Sequence, residues 1–246
     1  MAAVFTCSID DGSPSDLKFA DLLDKHDLKG TFYVPITNRE GFDVIPEATI
    51  KKISQSFEIG SHTYDHCYLV DVNSVEARRQ IVEGKDKLEN FIGKEVPGFC
   101  YPGGKYSKKH VTMVADAGFQ YARTTMNFRF DTGTNRFEMP TTCQFYPHAK
   151  NVYLRNFIKS GAWSKRKAGL RISLQCNDWI ERIYRCFEHA SNKGDVFHLW
   201  AHSREIDALD AWGELDRFFA HVATKVAVKD RLSNAGLAAR SFGMIS

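Results

Sequence analysis

Short apolar runs that suit buried strands alternate with amphipathic stretches that suit helices along most of the chain, and few folds satisfy that alternation. The strand-like runs cover residues 4–9, 30–35, 57–62, 97–101, 120–125 and 196–201, with residues 139–145 as a further, weaker strand before the last. Helical spacing joins Leu17, Ala20 and Leu23 behind a cap at Ser15, and Pro46 suits the first turn of a helix through Ile53. Asn73 caps a long helix carrying Val75, Ile81, Leu88 and Phe91, ended by Gly93. Further helices run from Ser107 to Ala117, from Asp178 to about Asn192, and from Asp207 to about Val226. About seven strands, each followed by a helix, imply a parallel α/β sheet with right-handed crossovers, either a barrel or doubly wound. Residues 126–169 are less regular, and the basic run Trp163-Ser164-Lys165-Arg166-Lys167 suits a solvated loop. The pattern assigns residues 1–226 to one domain and residues 227–246 to a C-terminal tail.

Composition adds limits. At 246 residues, 43% hydrophobic, the chain is long enough for one large core. A formal net charge of +3 gives no argument for nucleic acid or an acidic membrane as partner. No apolar stretch approaches the length of a membrane span. A core strand begins at Val4 where a signal peptide would place its charged and apolar regions, so a cytoplasmic location is expected. Cys7, Cys67, Cys100, Cys143, Cys176 and Cys186 form no CxxC pair and lie mostly in apolar runs, as buried free thiols do.

Parallel α/β folds place their sites at the carboxyl ends of strands, and the unusual polar residues fall there. Asp10 and Asp11 follow the first strand, His62 and His66 the third, Pro102-Gly103-Gly104 the fourth, and His202 closes the last, while Arg123 lies in the fifth. Side chains alternate along a strand, so Asp10 and Asp11 share a direction only with a local twist, and Gly12 lets the chain leave sharply. Like charges so close repel unless a cation lies between them. A solvated turn is the alternative. Histidines spaced as His62 and His66 are meet on one helical face and bind one ion. With Asp11 they make two imidazoles and a carboxylate, which suits zinc or another divalent metal. His198 and Trp200 share the strand parity of His202, and His198, deeper in the strand, suits a hydrogen-bonded core position.

Taken in order, Ser8-Ile9-Asp10-Asp11-Gly12, Ser61-His62-Thr63-Tyr64-Asp65-His66, Phe99-Cys100-Tyr101-Pro102-Gly103-Gly104 and Leu199-Trp200-Ala201-His202-Ser203 resemble the motifs of the polysaccharide deacetylases. These are the family 4 carbohydrate esterases that share the NodB homology domain. The resemblance spans roughly residues 4–222. It implies a distorted (β/α)7 TIM-like barrel and a metal-dependent hydrolase of N- or O-acetyl groups on a saccharide substrate. It also implies Asp10 as base, Asp11, His62 and His66 as ligands of Zn2+ or another divalent metal, His202 as acid, and the Gly103 N–H as an oxyanion donor. The chemistry is consistent, because a bound metal acidifies water and polarises a carbonyl.

Two family features are missing from their usual places. Cys100 stands where the family has an arginine that tethers the base, and Arg123 is the candidate substitute. The family's Asp-Trp pair, which orients the acid histidine, has no counterpart, since Asp178-Trp179 opens a helix; Glu205 or Asp131 are the candidate carboxylates. Tyr101 and Trp200, with Phe42 and Trp212, are candidate sugar-stacking aromatics. Hydrolysis of a cyclic amide or similar C–N bond on the same barrel, or saccharide binding without catalysis, are the alternatives.

Overall fold

The computed structural model describes residues 3–244. In chain order the elements are β1 (Val4–Asp10), α1 (Asp16–Lys25), β2 (Thr31–Val34), α2 (Glu47–Ile53), β3 (Glu58–Ser61), α3 (Ser74–Ile92), β4 (Gly98–Cys100), α4 (Lys108–Asp116) and β5 (Tyr121–Arg123). They continue with β6 (Cys143–Gln144), α5 (Lys150–Ser160), α6 (Trp163–Gln175), α7 (Trp179–Lys193), β7 (Val196–His202), α8 (Ser203–Ala208), α9 (Trp212–Lys225), β8 (Arg231–Leu232) and α10 (Asn234–Phe242). The parallel sheet has the order β5-β4-β3-β2-β1-β7-β6.

The stretch expected as a weak strand closes this sheet. Met139 exchanges backbone hydrogen bonds with Ala122 and Thr124 on the β5 edge, both at 2.9 Å. A few residues on, Cys143 and Gln144 lie in register with Leu199 and Trp200 of β7. Residues 139–144 therefore bridge the two edges, and the result is the distorted (β/α)7 barrel.

Strand alternation sorts side chains between two environments. Phe5, Cys7 and Ile9 of β1, Phe32 and Val34 of β2, and Phe197, Leu199 and Ala201 of β7 belong to the apolar layer that also holds helix residues such as Phe19 and Leu23. The other parity is polar. Thr6 bonds Asn234, Ser8 bonds His198, and Asp10 bonds Arg123. The main apolar core thus lies between strands and helices, and the barrel interior is a hydrogen-bonded polar column that ends at the carboxyl edge of the sheet.

Helix caps follow the sequence in most places. The Asn73 side chain accepts from the N–H groups of Val75 and Glu76, both at 3.0 Å, and Gly93 ends α3 in the left-handed region. Asp178 caps α7 through the Glu181 N–H at 2.7 Å. Ser15 does not cap α1, because its hydroxyl is taken by Asp207. The helix expected from Asp207 is instead two helices, α8 and α9, parted at Asp210, whose φ is 50°. The basic run at residues 163–167 is the first turn of α6, and its Arg166 is fully buried.

The last residues are not a bare tail. Arg231 and Leu232 pair with Phe5 and Thr6 beside β1, and α10 packs under the amino end of the barrel with Leu237 and Ala238 buried. Ile245 and Ser246, the end of the expected tail, lie outside the described residues. The buried Asn234 amide accepts from Thr6 Oγ1 at 2.8 Å and donates to the Tyr33 hydroxyl at 2.9 Å. Asn234→Ala would strand both partners inside the barrel. The expected cost is about 2–4 kcal/mol, read as a lower urea midpoint with unchanged slope. A change below about 0.5 kcal/mol would mean that water replaces the amide.

Candidate active site

At the carboxyl edge of the sheet the inward parity of four strands converges. Asp10 ends β1 pointing inward, and Asp11 follows it with φ 77°, outside the range a non-glycine residue ordinarily adopts. That turn supplies the twist that two adjacent aspartates need to line one cavity. Gly12 continues it at φ 63°, where an added Cβ would sit 2.8 Å from Val34 Cγ1. Only glycine fits.

His62 and His66 meet by a route different from the expected helical face. Residues 62–66 form a tight turn beyond β3, with Thr63 at φ 67° and His66 at φ 61°. The buried Gln80 of α3 holds this turn by accepting from the Tyr64 and Asp65 N–H groups at 3.1 and 3.0 Å. The Tyr64 carbonyl accepts from Ile36 and Thr37 at 2.7 and 2.9 Å.

Asp11 Oδ1 lies 3.6 Å from His62 Nε2 and 3.2 Å from His66 Nε2. His62 Nδ1–H donates to the Cys100 carbonyl at 2.8 Å, which leaves Nε2 bare. Burial pushes the His62 imidazole down to about 4, so it is neutral near pH 7. Burial alone would raise Asp11, but His66, His202 and His62 outweigh it and hold the carboxyl well below its ordinary range. Asp11 Oδ1 is buried without a hydrogen-bond donor. Asp11 Oδ1, the bare His62 Nε2 and His66 Nε2 converge on one point, an arrangement that a cation among them would satisfy. The three donors therefore fit a divalent metal.

The Arg123 guanidinium, fully buried, donates to Asp10 Oδ1 and to Ser8 Oγ, the latter at 3.3 Å. Its plane lies over the rings of Tyr33 and Trp200 at 5.1 and 5.2 Å. Across the cavity, His202 Nε2 is 3.8 Å from Asp11 Oδ2, and its Nδ1 is 2.8 Å from Glu205 Oε2. Burial works against charge on His202, but Glu205, with Asp11 and Asp10 near, outweighs it and pushes the imidazole up to about 9. Gly103 lines the same cavity at φ 60°. The neighbouring N–H groups of Gly104 and Lys105 are taken by the Tyr101 and Pro102 carbonyls, while that of Gly103 has no acceptor among the described residues.

Residues 3–122 match the polysaccharide deacetylase family model. Over this segment, just under half of its length, the chain is similar to the polysaccharide deacetylases. It is 29% identical over 137 residues to a peptidoglycan-N-acetylglucosamine deacetylase of Bacillus cereus, covering 52% of this chain. The chain spans about half the length of that curated relative, 48%. Among solved structures, a Mycobacterium smegmatis protein classed with the polysaccharide deacetylases is 18% identical, with a TM-score of 0.66 over 99% of this chain and 92% of that one. The family 4 carbohydrate esterase of Streptomyces lividans, in complex with acetate, is 12% identical with a TM-score of 0.55 over 90% of each chain. At these identities the two structures speak to the fold.

The departures from the family pattern have local explanations. Arg123 is the register partner of Cys100 on the neighbouring strand, so its guanidinium reaches Asp10 from one strand over. Glu205, one turn into α8, is the carboxylate on His202; it also accepts from Gln144 Nε2 at 3.0 Å. Asp131 instead pairs with Arg129 and Lys165. Trp179 packs against Phe145 with ring centres 4.9 Å apart, a core position. His198 is buried against Ser8 Oγ at 3.0 Å, as a core histidine.

Trp200 lines the cavity, but Tyr101 does not. Its ring is buried against Phe99 and Tyr106 and its hydroxyl donates to the Phe137 carbonyl at 3.1 Å, so it supports the Gly103 loop from beneath. Trp212 is tied to Asp207, and Phe42 stacks under the Arg204 guanidinium at 3.5 Å. Gln80 escaped the sequence reading. Its signal was a lone amide among Ala77, Ile81 and Gly84 on the buried face of α3.

Removing the guanidinium should be felt first in stability. Arg123→Met leaves Asp10 in the barrel without its cation, an expected loss of about 3–5 kcal/mol in chemical denaturation. Asp10→Asn/Arg123→Met should recover part of it. Equal stability of wild type and Arg123→Met would show that the pair is solvated in solution.

Proposed function

We propose that the protein is a metal-dependent deacetylase that hydrolyses N- or O-acetyl groups on a saccharide. The observation that carries this is the convergence of Asp11, His62 and His66 donors beside two differently partnered groups, Asp10 with Arg123 and His202 with Glu205. A divalent metal held by those three residues would supply Lewis acidity toward the acetyl carbonyl and acidify a nearby water.

The chain's own groups do the rest. Asp10, aimed by Arg123, takes the proton as water attacks the carbonyl carbon. The Gly103 N–H donates to the oxygen that becomes negative, a contribution typically worth about 3 kcal/mol. His202 gives its proton to the departing amine or alkoxide, with Glu205 fixing its tautomer and stabilising the cation. The cavity, about 430 Å³, is large enough for a sugar ring. A non-catalytic saccharide-binding protein would be favoured by an untethered base, but Asp10 has its arginine.

The direct test is acetate release from a panel of N- and O-acetylated sugars and oligomers after zinc addition. Release from none of them would remove the proposal. A second expectation concerns pH. The imidazole must be protonated to act as acid, and its folded value is raised from the usual 6.5, so the His202 contribution to activity and to stability is full below that ordinary value and is lost as pH rises through about 9. Glu205→Gln removes the strongest raising influence and should bring the alkaline limb of kcat/KM toward neutrality, read from a pH–rate profile. An unmoved limb would exclude His202 as the acid.

A further inference from the structure

Two guanidinium groups in the cavity wall have no carboxylate partner among the described residues. Arg182, on α7, is 5% exposed, and its Nη2 donates to the Tyr146 carbonyl at 2.8 Å while its plane lies over the Tyr153 ring at 4.6 Å. Its Nε and Nη1 have no acceptor among the described residues. Arg155, on α5, is exposed on the same wall and makes no ion pair among them.

Arg166 shows how this fold satisfies an arginine that serves packing alone. It is fully buried, and its nitrogens donate to the carbonyls of Asn127, Asn156, Phe157 and Gly161 and to the Asn127 side chain. Arg182 is nearly as enclosed but keeps half its fork open. Donors of that kind, in a wall shielded from bulk water, favour an anion.

The carboxylates that line the cavity are Asp10, Asp11 and Glu40, all on the metal side with His62 and His66. None lines the wall that holds Arg155 and Arg182. The cavity is therefore polarised, with a carboxylate–imidazole pole and a guanidinium pole. A substrate whose acetyl group sits at the first pole presents its far substituent to the second.

We propose that the substrate is an acetylated sugar bearing an anionic group, a carboxylate or a phosphate, and that Arg182 and Arg155 hold that group. This rests on the deacetylase reading for the position of the acetyl group, but the anion site is testable without turnover. Calorimetric titration of the zinc-loaded protein with glucuronate, glucose 6-phosphate and glucose separates the two anions from the neutral ring. At least one anionic sugar is expected to bind about tenfold or more tightly than glucose, as charge-assisted hydrogen bonds imply. Arg182→Met and Arg155→Gln should each erase most of that preference and leave glucose binding unchanged. Because Arg155 is exposed, its variant keeps the test open if Arg182→Met fails to fold.

Equal binding of all three sugars overturns the proposal. So does an anion preference indifferent to both substitutions, which would place the anion on the metal. Should the preference track both arginines while no acetylated sugar releases acetate, the anion site stands and the deacetylase reading falls.

Discussion

Asp10→Asn is expected to lower acetate release by about three orders of magnitude while the metal stays bound. The size follows from what a positioned proton acceptor contributes, commonly 10²–10⁴-fold. Asp10 also converges with His62 and Cys100, but Asp10 is engaged by Arg123 and burial keeps the Cys100 thiol protonated, so the selectivity rests on Asp11, His62 and His66 being the set left to hold the metal. The amide keeps an oxygen for the guanidinium, so the local arrangement should survive, and thermal unfolding followed by circular dichroism checks that it does. Activity near wild type would take the base role away from Asp10. Metal lost together with activity would instead make Asp10 a ligand.

Replacing His62 or His66 by alanine should abolish both metal content and turnover. Loss of an outer partner of a ligand already costs about 10–100-fold in affinity, and deletion of the ligand itself should exceed that. Elemental analysis of the dialysed variants reads it directly. Gln80→Leu offers a graded comparison. Gln80 touches no donor atom, yet it anchors the turn that carries both histidines through two backbone N–H groups. Its replacement should weaken metal binding without erasing it. Full metal retention in both alanine variants would dissolve the proposed centre.

These expectations depend on residues far apart in the chain, and they were not equally visible from sequence. Asp10, Asp11, His62, His66 and His202 stood out because each ends a strand-like run, and a parallel α/β sheet gathers its strand ends on one edge whatever the helices between them do. Alternation along β1 and β7 likewise marked His198 as interior. The turn at residues 62–66 was misjudged as helical, because spacing alone does not distinguish a helix from a turn held by a distant amide. The α5 and α6 region escaped for a related reason. Arg166 lies in the run expected as a solvated loop and Arg182 carries no motif, and only packing reveals that one is sealed by carbonyls while the other keeps free donors in a cavity.

What the amino-acid order determined by itself was the alternation of strands and helices, the parallel α/β class and the set of polar residues at the carboxyl edge of the sheet, because those depend on local periodicity and on a topology with few solutions, while the barrel was implied only by the resemblance of the ordered motifs. Only the tertiary structure decided which arginine holds Asp10, which carboxylate orients His202 and how the last helix closes the barrel floor. Those choices turn on the register between neighbouring strands and on side-chain reach of a few ångströms. Arg123 holds Asp10 because it lies beside Cys100 in the sheet, a relation no spacing along the chain encodes.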